Sequence, residues 1–191
     1  MPKKELEAFY FSNGFAFQDS ALWANMSIGD NLVLPLLAID PRLPRAKALE
    51  RAKRYAGLLG YSESLGWRPS QLSLGEQKLI SIARALVVEP EIVFMDEPTA
   101  FLDDAACERI FRIALDLKAK GKTIVAVTHS TQFAALVADD LLVMNQGTVT
   151  AAGSYNELVG MEDGIVRAVM GRKAREGRRE GASDEVQDQV R

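Results

Sequence analysis

Residues 92–99, IVFMDEPT, constrain the chain most tightly. Four apolar residues run straight into two adjacent carboxylates and a proline. A continuous apolar run with β-branched members suits a strand buried on both faces. Asp96 and Glu97 fall where that strand ends. Buried charge is costly unless a cation or a hydrogen-bond donor meets it, so the strand must deliver both side chains to a polar place.

Similar runs recur. GFAFQ (14–18), TIVAVT (123–128) and LLVM (141–144) read as strands, and NQG turns the last of these into TVTAAG as a small hairpin. Helical spacing falls between them. Residues 46–59 place Leu49, Ala52, Tyr55, Ala56 and Leu59 on one face. From Ser73 onward the apolar face is Leu79, Ile82, Ala83 and Leu86. Residues 105–120 present Ile110, Phe111, Ala114 and Leu117, with Gly121 as the stop. Ser130 or Thr131 caps a helix to about residue 138. Strands alternating with helices indicate a mostly parallel α/β sheet. Residues 20–70 hold no convincing strand and read as a helical subdomain inserted after the first strand.

Composition sets outer bounds. The chain has 191 residues, enough for one domain with a substantial core, and a net charge of −3, which gives no reason to expect nucleic-acid binding. A single cysteine, Cys107, fits a reducing compartment. The first residues show no signal peptide, and no apolar stretch nears the roughly 18 residues of a membrane span. The tail over 171–191 is charged, poor in large apolar residues, and reads as disordered or as a frayed helix.

In open parallel sheets, ligands bind beyond the carboxyl ends of the strands. Gln18 ends the first strand, Asp96 and Glu97 the second, and His129, the only histidine, the third. Singly, each has an ordinary reading: Gln18 in a turn, DEP as a strand stop, His129 as a structural residue. Their common position favours a site. SLGE (73–76) matches a capping box, in which Ser73 and Glu76 satisfy each other's backbone donors. Gly75 fits a helix first turn less well, at up to roughly 1 kcal/mol relative to alanine. A bare backbone at a helix start is useful where an anion comes close, and the two readings are compatible.

GFAFQDSALWANMSIGDNL (14–32), LSLGEQ (72–77), IARAL (82–86), EPEIVFMDEPTAFLD (89–103), VTHS (127–130) and NQGTVTAAGSYNEL (145–158) resemble, in order, the ATP-binding subunits of ABC transporters. The resemblance implies an α/β, P-loop NTPase-like fold with a mostly parallel sheet. It implies a helical subdomain over about 20–90 and a partial ATPase domain over 1–170. It implies ATP and Mg²⁺ as cofactors. Gln18 matches the Q-loop glutamine, which senses Mg²⁺ and the attacking water. Ser73 and Gly75, with Glu76, match the signature that meets the γ-phosphate of ATP held by the opposite subunit. Asp96 matches the Walker B aspartate, which orients Mg²⁺ through water. Glu97 matches the general base, Asp103 the D-loop aspartate at the dimer interface, and His129 the switch histidine. Partners implied are transmembrane permease subunits and a second ATPase subunit, with a location on the cytoplasmic face of a membrane.

Departures are visible. Leu74 stands where the family usually has glycine, Glu76 where it often has glutamine, and AFLD replaces smaller residues before Asp103. The phosphate-binding loop G-x-x-x-x-G-K-[ST] is missing. GKT at 121–123 fails, since residue 116 is Asp116 and the triplet precedes a strand. The chain therefore reads as a cassette without its N-terminal strands and phosphate-loop strand. A gap or a weakened last strand is expected between 123–128 and 141–144. The spacing from Gln18 to Ser73 favours a transporter ATPase. The alternative is a non-hydrolysing partner that lends its signature to a complete chain. A ribosome- or DNA-acting relative ranks lowest, for want of tandem domains or long insertions.

Overall fold

The computed structural model describes residue 9 and residues 12–170; the tail over 171–191 lies outside the described residues. Where the sequence suggested one body to residue 170, the chain divides into two compact units, one ending at Thr128 and the other beginning at His129.

In the first unit, β1 (Asn13–Ala16), β2 (Ile92–Asp96) and β3 (Thr123–Val127) form a parallel sheet in the order β1-β2-β3. Phe94 pairs with Phe15 on one side and Val125 on the other, so all three strands run out at the same edge. β1 stops short of Gln18 because Ser20 N–H donates to the Phe17 carbonyl at 3.1 Å and turns the chain.

The expected helical insert is present as α1 (Ile28–Ile39), α2 (Arg45–Leu58), a 3₁₀ turn (Pro69–Gln71) and α3 (Leu74–Leu86). The three α-helices pack on one another. Ser27 starts α1 by accepting the Asp30 N–H at 3.0 Å. Its buried stripe is Ile28, Leu32, Val33 and Leu36. In α2 the buried stripe is Ala48, Ala52 and Ala56, while Leu49, expected inside, is exposed. Small side chains at i, i+4 and i+8 let neighbouring helices approach closely, and that contact sets the face. α3 lies against β1 so tightly that a Cβ on Gly14 would sit 2.4 Å from the Ala85 carbonyl oxygen. Asp103 caps α4 (Asp104–Ala119), which packs against β3 and ends before Gly121.

The second unit contains α5 (Thr131–Val137), capped by Ser130, and the antiparallel hairpin β4 (Leu141–Asn145) and β5 (Thr148–Gly153). α6 (Tyr155–Val159) and α7 (Gly164–Met170) follow. Val143, Leu158, Val166 and Met170 make its core. Strand pairing agrees with the expected interruption: among the described residues β4 pairs only with β5 and β3 only with β2. The division into units falls where that ladder stops.

Among the described residues, one face of the three-stranded sheet carries exposed apolar side chains. Phe15, stacked on Phe94 at 4.8 Å between ring centroids, lies in register with Val125, and Val127 is 65% exposed. Apolar sheet surface of this kind binds other apolar surface. The 191-residue chain is therefore expected to bind a hydrophobic reporter dye while giving a cooperative unfolding transition. Val125→Thr with Val127→Thr should lower dye fluorescence and shift unfolding free energy by no more than about 0.5 kcal/mol. Unchanged fluorescence would place the dye elsewhere.

Candidate active site

Parallel pairing brings the tips of β1 and β2 side by side, with the tip of β3 next to β2. Gln18 is exposed two residues beyond β1; Asp96, half-buried, is the last residue of β2. Glu97 follows, 8% exposed, with φ of +47°. Its N–H donates to the Val127 carbonyl at 2.8 Å, and the Thr128 hydroxyl donates to its Oε2 at 3.3 Å. The turn after β2 thus holds the Glu97 carboxylate beside the end of β3. His129 is the next residue after Thr128 and belongs to the second unit, where it precedes the Ser130 cap of α5.

Strain collects on these loops. Of six non-glycine residues with positive φ among the described residues, Ser20, Ala21, Glu97 and Phe101 lie on the segments leaving β1 and β2. Such conformations persist only where the surroundings impose them.

The start of α3 is the capping box that SLGE predicts. Ser73 Oγ accepts the Glu76 N–H at 3.2 Å, and Glu76 Oε2 accepts from the Ser73 N–H at 2.8 Å and the Ser73 hydroxyl at 2.7 Å. Gly75 has a second reason to be glycine. A Cβ there would lie 2.8 Å from the Phe101 carbonyl oxygen, so the helix start and the loop after β2 touch backbone to backbone. Leu74 and Phe101 project outward, 60% and 63% exposed. Asp103 Oδ1 accepts the Ala106 N–H at 2.7 Å, giving this residue a helix-capping task.

Two cations on α3 were not singled out from the sequence. Lys78, fully buried, donates from Nζ to the Phe17 carbonyl at 2.8 Å and to the Asp96 carbonyl at 3.0 Å. Burial pushes its ammonium below the ordinary lysine range, and the charges of Asp96, Glu97 and Asp19 pull it back up. Arg84 donates to the carbonyls of Ala21 at 2.8 Å and Ser20 at 3.1 Å, and stacks over Trp23 at 4.8 Å. Burial lowers its pKa as well, against the charge of Asp19. The readable signal was spacing: Lys78, Ser81 and Arg84 are the only polar residues from 78 to 86, three apart, on a helix buried throughout that stretch.

These groups fit one wall of a nucleotide site. Among the described residues no three His, Cys, Asp or Glu side chains could hold a metal ion together. Magnesium commonly keeps several waters and takes one or two carboxylates plus substrate phosphates, so a single Asp96 with nearby Gln18 suits a phosphate-bound ion. The sequence holds no G-x-x-x-x-G-K-[ST] to form the opposite wall.

Comparison with known proteins defines the class. The family model described as ABC transporter matches residues 3–100. The chain belongs to the ABC transporter family, as a relative of its ATP-binding subunits. It is 37% identical over 153 residues to the lipoprotein-releasing system ATP-binding protein LolD of Syntrophus aciditrophicus, covering 79% of this chain and 68% of that protein. It is also 37% identical over 146 residues to the histidine/lysine/arginine/ornithine transport ATP-binding protein HisP of Escherichia coli, covering 75% of this chain but only 56% of HisP. The chain thus spans little more than half the length of that relative. A dimeric post-hydrolysis structure of the ATP-binding cassette MJ0796, bound to ADP and Pi, superposes with a TM-score of 0.75 at 28% identity, over 81% of this chain and 68% of that one. The fold is that of the ABC ATPase cassettes.

Gly75→Ala tests the close contact. Alanine is the better helix former by up to roughly 1 kcal/mol, so propensity alone predicts stabilisation. The Phe101 carbonyl predicts a net loss of about 1–3 kcal/mol by overpacking. Urea unfolding of both chains decides between the signs.

Proposed function

We propose that this chain is part of a subunit that hydrolyses ATP to drive a membrane transporter. The observation that carries the reading is the parallel pairing of β1 with β2, which puts Gln18, Asp96 and Glu97 just at or beyond the carboxyl ends of two adjacent strands. The order of the family motifs along the chain supports it.

MgATP would supply the phosphoanhydride whose cleavage releases the energy for transport. Glu97, held by Val127 and Thr128, takes the proton of the attacking water. Asp96 would hold Mg²⁺, which would offset the charge of the phosphates, and Gln18 would sense the ion and the attacking water. The family resemblance gives His129 the role of the switch histidine. Ser73 and Gly75 face ATP bound by a second ATPase subunit, and Asp103 stands at that subunit interface. Permease subunits in the membrane receive the motion, which puts the chain on the cytoplasmic face. No helix of the described residues is long and apolar enough to cross the bilayer itself.

In the polypeptide completed with its phosphate-binding loop, Glu97→Gln should lower kcat by about 10²–10⁴-fold, the usual worth of a general base, and leave ATP binding intact. Undiminished turnover would remove Glu97 from the role. A second reading has its own observation: the signature helix start is fully formed, while the phosphate loop is not in the sequence. A chain that lends Ser73 and Gly75 to a complete partner would look the same. In equilibrium dialysis with MgATP, tight binding by the 191-residue chain alone would exclude the lending form.

A further inference from the structure

We propose that Lys78 is the positioning residue that sets Gln18 and Glu97 relative to each other. Its two acceptors are not arbitrary carbonyls. The Phe17 carbonyl belongs to the peptide unit that leads into Gln18, and the Asp96 carbonyl to the one that leads into Glu97. One ammonium therefore fixes the two backbone joints from which the two side chains spring.

The surroundings make this tether stiff. Lys78 has no solvent exposure, so water does not compete for its protons. A hydrogen bond from a charged donor is roughly twice as strong as a neutral one. One turn and a half further along α3, Arg84 holds the carbonyls of Ser20 and Ala21, both at positive φ, and so grips the other side of the Gln18 turn. At its other end the same helix begins at Ser73 and meets Phe101 through Gly75. The segment after β1, the segment after β2 and the start of α3 share one rigid support, with Lys78 at its centre.

The kinetic arm of the test rests on the hydrolytic reading above; the structural arm does not. In the 191-residue chain, hydrogen exchange is followed in wild type and in Lys78→Met, which keeps the stem and removes the donors. Exchange is expected to rise about tenfold in both 16–20 and 95–98, with little change in α4 and β3. A uniform rise throughout the chain, or no rise in either segment, overturns the proposal. In the completed ATPase, Lys78→Met should lower kcat by about 10²-fold, the scale of a 1 Å misplacement, with KM for ATP within about twofold. Lys78→Arg, which keeps several N–H donors, should recover a substantial part of that loss. Unchanged kcat, or a loss confined to KM, counts against the positioning role. Should Lys78→Met not fold, Lys78→Leu, which also removes the donors, is scored by the same two readings. If the completed protein shows no ATPase activity at all, the functional reading fails while the exchange result still judges the tether.

Discussion

β2 is paired on both edges, with β1 on one side and β3 on the other, all parallel. Everything at the site depends on that arrangement. Parallel strands start and stop in step, so one register places three strand exits next to each other. The apolar run from Ile92 to Met95 can be spent entirely on pairing and packing. Its two carboxylates then emerge at the only point where the chain is free to turn. The N–H of Glu97 continues the ladder by one more bond, to Val127, and so the strand hands its geometry on to the residue that follows it.

α3 is the second support. It is buried along most of its length and reaches three backbone segments at once. At Gly14 it meets β1, and at Gly75 it meets the loop after β2, in both cases at distances no Cβ would allow. Between these contacts its cations close the carbonyls that the exits of β1 and β2 leave without strand partners. Buried carbonyls need donors, and a helix lying across the strand tips can supply them only from side chains. Lysine and arginine are long enough to do so. The positive-φ residues Ser20 and Ala21 are held in place by the same means.

The pattern of elements was legible because each had a physical mark in the sequence. IVFM and TIVAV announced strands, SLGE a helix start, and NQG a hairpin turn. The interruption between β3 and β4 was expected from the family resemblance alone, which puts a further strand between them. Other features were not legible. The Leu49 face of α2 was misjudged because a stripe of alanines is a weak hydrophobic signal but a strong packing one. Lys78 and Arg84 look like surface charges until α3 is known to be buried all round. The strained loops left no mark either, since Ser20, Ala21, Glu97 and Phe101 are not residue types that advertise a positive φ. The positions of the candidate residues were readable: Gln18, Asp96 and Glu97 at or just beyond strand ends, and Ser73 and Gly75 at a helix start. The division of the chain ahead of His129 had no composition shift to reveal it.

The hydrogen bonds of Ser73 and Glu76 carry a consequence for any ligand that approaches α3. The positive end of this helix already has a counter-charge, and the serine proton is already committed to it. A phosphate brought to this helix start would meet a resident carboxylate rather than an open berth, and its affinity there would be a difference between two anions.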